Sequence, residues 1–142
     1  MSQKIFNDIF KGKTVLVTGH TGFIGSWLTL WLKYLGANII GYSLNPPTDP
    51  SLFDILNLDN EITNVTSDIR DEKKLFETVK KYEPEFVFHL AAKSLVRDSY
   101  ENPLDTFEIN VLGTANMLEV LRLSPSVKVA LIMTSDNAMT TK

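Results

Sequence analysis

Residues 14–25 read Thr-Val-Leu-Val-Thr-Gly-His-Thr-Gly-Phe-Ile-Gly. An apolar run of strand length, Val15, Leu16 and Val17, meets a turn carrying Gly19, Gly22 and Gly25, and an apolar segment of helical length follows from Phe23 to Leu35. A strand, a glycine turn and a helix start, in that order, make a phosphate cradle. Each glycine has its own reason. Gly19 lets the chain turn sharply out of the strand, Gly22 lets backbone approach a pyrophosphate with no β-carbon in the way, and Gly25 lets the helix pack close to the strand. The unpaired N–H groups and positive dipole end of that helix then face the anion. The segment predicts a dinucleotide site, with His20, Thr21, Phe23 and Ile24 as the remaining residues of the cradle.

The chain around it has 142 residues, 44% of them hydrophobic, and a net charge of −3. That is one domain's worth, with enough apolar residues to bury a core. Nothing in the totals suggests a nucleic-acid or membrane-surface partner. There is no cysteine, which excludes disulfides, thiolate metal sites and a cysteine nucleophile. Met1 to Lys13 lacks the apolar core of a signal peptide, and no apolar run reaches bilayer length. A soluble, cytoplasmic protein is the expectation. His20 fills a variable place between the glycines and His89 reads as a satisfied core residue. Neither sits in a metal-ligand pattern, so no metal is expected.

Ile5, Phe6, Ile9 and Phe10 recur at helical spacing and predict an N-terminal arm docked by its apolar side. The helix after the glycine turn carries Ile24, Trp27, Leu28, Trp31, Leu32 and Leu35 as a broad stripe, read as core or sheet-facing surface. Gly36 suits its C-cap, and Ile39 to Tyr42 reads as the second strand. The end of that strand selects the cofactor, because an acid there binds the ribose 2′-hydroxyl of NAD and an Arg favours the 2′-phosphate of NADP. This chain offers Ser43, Leu44 and Asn45. A hydroxyl or amide still bonds a ribose, no cation is present to hold a phosphate, and NAD is favoured by default.

Residues 46–50 form a non-repetitive loop, and Ser51 with Asp54 opens a short helix through Leu58 in a capping-box pattern. Ile62 to Thr66 reads as a third strand. Just past it, Asp68 is read as the ligand of an adenine amino group and Asp71 as the cap of the next helix, whose Leu75, Phe76, Val79 and Tyr82 form a stripe closed by Pro84. Phe86 to Leu90 is a near-continuous apolar strand. It empties into Ala91, Ala92 and Lys93, where small side chains let a ligand approach the backbone. Asn102-Pro103 starts the longest helix, with Leu104, Phe107, Val111, Ala115, Leu118 and Leu121 on one side. Asn110 within it is either on the surface or turned inward to bond the backbone of a neighbouring strand. Val127 to Met133 is a fifth strand ending in Thr134-Ser135-Asp136. Five strands alternating with helices predict an α/β fold, a doubly wound parallel sheet of Rossmann type, over residues 1–142.

With these residues in hand the chain resembles the extended short-chain dehydrogenase/reductase family, in its CDP-glucose 4,6-dehydratase branch. The markers are Thr-Gly-His-Thr-Gly-Phe (18–23), Gly-Ser-Trp-Leu (25–28), Pro-Ser-Leu-Phe (50–53), Asp-Ile-Arg-Asp (68–71), Leu-Val-Arg (95–97), Ser-Tyr (99–100) and Thr-Ser-Asp (134–136). The resemblance implies bound NAD, oxidation of the sugar at C4, loss of water across C5 and C6, and return of the hydride to C6. The substrate implied is CDP-glucose, a nucleotide sugar, and the product serves surface polysaccharides such as O-antigen. For the full-length family it also implies a homo-oligomer. By matching position, Gly19, Gly22 and Gly25 would hold the pyrophosphate, Asp68 and Ile69 the adenine side, and Leu90, Ala91, Ala92 and Lys93 the dinucleotide. Thr134 would bond the sugar hydroxyl and Asp136 would be the acid for the departing water. Ile24 and Lys93 stand where the usual pattern has Lys and Gln.

The tail departs further. After Asp136 the family continues Lys-Cys-Tyr-(Asp or Glu)-Asn-Lys, whereas this chain reads Asn-Ala-Met-Thr-Thr-Lys (137–142). Writing the family's segment as AAA TGC TAT GAC AAC AAA and deleting one A gives AAT GCT ATG ACA ACA AA, which encodes the observed residues. The expectation is a frame-shifted, truncated dehydratase that lacks the family's substrate domain and its Tyr-x-x-x-Lys pair, inactive alone and prone to self-association. The rivals are another nucleotide-sugar dehydratase or epimerase and a stand-alone, non-catalytic dinucleotide-binding module.

Overall fold

In the computed structural model, which describes residues 5–134, one parallel sheet is built from β1 (Thr14–Thr18), β2 (Asn38–Ser43), β3 (Thr63–Thr66), β4 (Phe86–His89) and β5 (Val129–Ile132). The strand order is β3-β2-β1-β4-β5. β1 is central, with Val17 opposite Gly41 of β2 on one side and Phe88 of β4 on the other. The helices are α1 (Phe23–Tyr34), α2 (Leu52–Ile55), α3 (Glu72–Tyr82), α4 (Val96–Glu101), α5 (Pro103–Phe107) and α6 (Gly113–Arg122). A π-helical turn, Glu108–Leu112, joins α5 to α6 without a break.

Alternation along the strands divides the core into two layers, because successive strand residues point to opposite faces. Val15, Val17, Ile39 and Phe86 pack with Leu32 of α1 on one face. Leu16, Ile40, Tyr42 and Val87 pack with Leu75 and Val79 of α3 and Met117 and Val120 of α6 on the other. Helices on both faces of a parallel sheet are the doubly wound arrangement expected. The chain passes from β3 on one edge to β4 on the far side of β1, so the topological switch lies between β1 and β4, and the C-terminal ends of these strands are where an open α/β sheet forms its ligand crevice.

Two expectations about packing are corrected, and two features are added. The stripe on α1 is core only in part: Leu32 is buried and Leu28 packs against the same core layer, the other buried residues of the helix are Gly25, Ser26 and Thr29, and Ile24, Trp27, Trp31 and Tyr34 are exposed and, with Leu28 and Leu30, line an apolar groove. Small residues face the sheet because the helix must sit close to β1 to begin directly after the glycine turn. The apolar row on the long helix, to which the sequence assigns no face, is mostly outward, with Leu104, Phe107, Val111 and Leu118 exposed, Leu121 packed against the core and Gly113, Met117 and Val120 buried. There the π turn inserts a residue and shifts the phase on which a uniform 3.6-residue reading depends. The N-terminal arm is not a regular helix: Phe6, Asn7 and Asp8 have left-handed backbone, and Phe10 anchors the arm with its ring 5.1 Å from that of Phe86. Finally, α4 has no counterpart in the expected elements.

Candidate functional site

The crevice between β1 and β4 is shaped first by glycines. Gly19 leaves β1 at φ +71°, and a β-carbon there would lie 2.8 Å from the Ala91 nitrogen and 2.9 Å from the Leu90 carbonyl carbon. Both the left-handed conformation and the close approach of the two chain segments therefore demand glycine. Gly25 is required by packing, since its β-carbon would press into the Gly19 carbonyl oxygen and sit 2.7 Å from His20 Cα. Gly22 differs. Its φ of −74° and ψ of 171° suit any residue, and the nearest atom to an added β-carbon is 3.4 Å away. Nothing in the protein itself demands a glycine at 22, and a ligand pressed against the loop would.

The loop is held from behind. The Gly19 N–H donates to the Tyr42 carbonyl at 3.0 Å, and the Ser26 hydroxyl reaches the carbonyls of His20 and Gly22 at 3.1 and 2.8 Å. α1 has no side-chain cap at Gly22. Its first amides, at Phe23 and Ile24, are left facing the crevice with the positive end of the helix dipole behind them. Loop, close-packed helix and open amides fit a dinucleotide pyrophosphate.

His20 turns away from this cradle. Its ring is fully buried over Gly41, where a β-carbon would come within 2.5 Å, and Nε2 lies 2.8 Å from the Asn64 side-chain oxygen. The Asn64 amide nitrogen donates to Asp59 at 2.8 Å, so the amide oxygen faces His20 and Nε2 is the donor. Burial holds the imidazole below its ordinary pKa against the pull of the Asn64 bond. His20 thus contributes backbone to the loop and a ring that pins the loop to β2 and β3. Thr21, also buried, bonds the Ser43 hydroxyl at 2.9 Å and the Leu44 carbonyl at 3.0 Å.

The opposite wall, residues 90–93, is positioned by a chain of hydrogen bonds. The Leu90 and Ala91 N–H groups donate to Thr18 Oγ1 at 3.2 and 3.1 Å, and that hydroxyl lies 2.8 Å from His89 Nδ1. With its oxygen accepting two amides, Thr18 gives its proton to His89, whose Nε2 then faces the Thr114 hydroxyl at 3.3 Å. Burial lowers the His89 pKa to about 4, which keeps the ring neutral as this pattern needs. Thr114 passes its proton to the Asn110 carbonyl at 2.7 Å, and the Asn110 side chain clamps Lys93 at both N–H and C=O, at 2.7 and 3.0 Å. Asn110 faces inward. The Lys93 ammonium is held by Asp105 at 2.6 Å.

At the third strand, Asp71 caps α3 by accepting the Lys74 N–H at 2.9 Å. Asp68 is gripped by Arg70, with contacts of 2.6 and 3.0 Å, and the bond from that guanidinium holds its carboxyl below the usual range. Ile69 puts its side chain into the core against Gly113. Thr134 follows β5 and is exposed. Asp136 lies outside the described residues. The loop around Gly19, Ser43 at the end of β2, the 90–93 wall and Thr134 thus all sit at the C-terminal ends of adjacent parallel strands. Thr18, Gly41, Arg70 and Thr114 were given no role of their own in the sequence, although Thr18 and Arg70 lie within the quoted motifs 18–23 and 68–71. Among the described residues no His, Asp or Glu cluster forms a metal site and no helix is long and apolar enough to cross a membrane.

Comparison with known proteins places this arrangement among relatives. The family model described as GDP-mannose 4,6 dehydratase matches residues 16–138. The CDP-glucose 4,6-dehydratase of Salmonella typhimurium is 47% identical over 132 residues, covering 93% of this chain and 37% of that protein. The structure of an epimerase from Methanothermobacter thermautotrophicus, 33% identical, superposes with a TM-score of 0.76 over 91% of this chain and 37% of its own. That of a UDP-glucose 4-epimerase from Brucella ovis in complex with NAD, 34% identical, does so at 0.70 over 83% and 34%. The chain spans about a third of the length of such relatives.

Proposed function

The chain belongs to the GDP-mannose 4,6-dehydratase family, and on that premise we propose that it is the NAD-binding part of a CDP-glucose 4,6-dehydratase. The observation that carries the reading is Gly22, which neither backbone conformation nor packing explains and which a pyrophosphate lying on the loop does. Relatives named for CDP-glucose and for NAD support the substrate and the cofactor. NAD, when bound, would supply the hydride acceptor and donor that make a sugar dehydration possible at C5 and C6. This chain's own residues would bind and orient. Gly19, Gly22, Gly25 and the first amides of α1 would take the pyrophosphate, with the backbone of His20, Thr21, Phe23 and Ile24 around it. Ser43 would take a ribose hydroxyl, Asp68 and the Ile69 backbone the adenine, and Leu90 to Lys93 the other wall. Thr134 lies at the same end of the sheet, where it would bond the sugar hydroxyl, and Asp136 would be the acid for the departing water.

The 142 residues contain no Tyr-x-x-x-Lys pair, so a base for the C4 hydroxyl proton is missing from the chain and chemistry without one is slower by roughly a hundred-fold or more. The test is a calorimetric titration of the chain with NAD, beside an assay of CDP-glucose for loss of one water by mass spectrometry. Saturable NAD binding with no dehydrated product is the outcome expected. Absence of NAD binding by a folded chain would overturn the reading. Binding together with dehydration would refute the statement that the chain is inactive alone.

A further inference from the structure

We infer, on the dinucleotide reading above, that Tyr42 is a positioning residue whose hydroxyl, with the side-chain amide of Asn116, holds the loop 67–71 at the place where it reads the base of the dinucleotide. The loop lies between β3 and α3, in neither strand nor helix, so no ladder fixes its backbone. Its own bonds are short-range, Asp71 N–H to the Asp68 carbonyl and Glu72 N–H to the Arg70 carbonyl, both at 3.0 Å. They shape the loop and do not place it. Two distant residues do. The Tyr42 hydroxyl lies 3.0 Å from the Asp68 carbonyl and 3.0 Å from the Ser67 hydroxyl. A carbonyl only accepts, so the Tyr42 proton goes to Asp68 and the Ser67 hydroxyl is left to donate. From α6 the Asn116 amide nitrogen, which carries two protons, lies 3.2 Å from both the Ile69 and the Arg70 carbonyls. Three consecutive carbonyls are thus drawn toward the protein, while the Asp68 carboxylate, joined to Arg70 of the same loop, keeps 27% exposure.

Tyr42 reaches both halves of the crevice. Its own carbonyl accepts the Gly19 N–H at 3.0 Å, so the residue that fixes the start of the glycine loop through its backbone fixes the base loop through its ring. Register gives it that place, opposite Thr18 of β1 and Val65 of β3. The ring is fully buried and packs in the core layer of Leu75, Val79 and Met117. Packing explains the ring and not the hydroxyl, since phenylalanine would fill the same core and a buried hydroxyl is costly unless bonded. Burial raises the phenol above its ordinary pKa against the Ser67 bond, so the proton stays in place to be donated. Asn116 acts from the other side. Gly113 and Asn116 are three residues apart on α6 and share a face: the first leaves room for the Ile69 side chain and the second holds the Ile69 carbonyl. The distance between the pyrophosphate cradle and the base loop is then set by the length of one tyrosine.

The test is calorimetric titration of the 142-residue chain and three variants with NAD and with nicotinamide hypoxanthine dinucleotide, which carries an oxygen in place of the amino group of the base. Each variant is checked for folding by circular dichroism. The wild-type chain should bind NAD more tightly, because the Asp68 carboxylate accepts from an amino group and repels an oxygen. Tyr42→Phe keeps the ring, Asn116→Asp keeps the shape without the N–H donors, and each releases the loop. NAD affinity should fall roughly three- to ten-fold, the range of one hydrogen bond, while that of the hypoxanthine analogue changes by less than about two-fold. Asp71→Ala loses a helix cap beside the loop and should keep both affinities, which separates a released loop from a weakened fold. Equal binding of both dinucleotides by the wild type, equal weakening of both in the two loop variants, or unchanged NAD affinity in folded Tyr42→Phe would overturn this inference while leaving the dinucleotide site standing. Binding of neither by the folded wild-type chain would overturn both.

Discussion

Replacing Gly22 by Ala separates what the loop does for the fold from what it does for a ligand. At φ −74° and ψ 171° alanine is unstrained, and its β-carbon meets nothing closer than 3.4 Å. The change in stability is within about 1 kcal/mol, and its sign can favour the folded state because alanine narrows the unfolded ensemble. For a chain of this size that corresponds to less than roughly 5 °C in melting temperature. Binding responds differently. A methyl on the crevice side of the loop keeps an anion from the first amides of α1, each a charge-assisted bond of about 1.5–3 kcal/mol, so NAD affinity falls roughly ten- to hundred-fold. Gly25→Ala is the contrast. Its β-carbon would press into the Gly19 carbonyl oxygen and lie 2.7 Å from His20 Cα, where ordinary contact starts at 3.4 Å, so clearing His20 alone takes about 0.7 Å and clearing the Gly19 oxygen takes more. Overpacking of that kind costs about 1–3 kcal/mol or more, and both melting temperature and affinity drop. Differential scanning calorimetry and NAD titration on the two variants read the split. If Gly22→Ala binds NAD within two-fold of wild type while remaining folded, the argument that Gly22 faces the ligand is wrong.

Three further outcomes follow from the same contacts. Asp71→Ala removes the cap that accepts the Lys74 N–H and should lower stability by about 1 kcal/mol in a denaturant titration, without changing NAD affinity. His89 has a folded pKa of about 4 against an ordinary 6.5; its neutral form is the one the fold selects, so its contribution is complete above pH 6.5 and is lost as the unfolded state takes up protons below it. Between pH 8 and pH 5 this amounts to roughly 2 kcal/mol, and His89→Gln should flatten the pH dependence of the urea midpoint by that amount. The exposed Trp27 and Trp31 with Ile24 and Tyr34 form an apolar face, so the chain should sediment as associated species, and Trp27→Lys with Trp31→Lys should raise the monomer fraction; a monomeric wild-type profile contradicts this.

The fold was legible because its main signals are local. A strand, a glycine turn and a helix start in one stretch of chain place the crevice, and alternation of strands with helices leaves few topologies for a parallel sheet. The reading of Gly19 and Gly25 survives in the geometry for the reasons first given: a sharp turn and a close packing. Asp71 as a helix cap was legible for the same cause, since capping depends on residues within one turn. What was not legible depends on partners distant in sequence. Thr18 matters because it holds Leu90 and Ala91, more than seventy residues on, and Asn110 could be resolved from a surface residue only once Lys93 lay beside it.

The apolar stripes of α1 and of the long helix show where pattern reading falls short and why both cases bear on the site. Hydrophobic periodicity finds the side of a helix with the largest apolar side chains, and it equates that side with the core. On α1 the equation breaks because the site requires the helix to begin against β1, and only small residues, Gly25, Ser26 and Thr29, allow that approach. The large residues are displaced to the flank by the demand of the glycine loop. On the long helix the π turn at Glu108–Leu112 contains Asn110, the residue that clamps Lys93 and takes the Thr114 proton. A helix running through that point in unbroken α phase would present a different set of residues to the sheet at Gly113, Met117 and Val120 than to Lys93 at Asn110. The extra residue lets one helix both bury its second half and hold the crevice wall with its first. In both elements the departure from regular amphipathic pattern lies beside the dinucleotide crevice, and in both the proposed function supplies the reason for it.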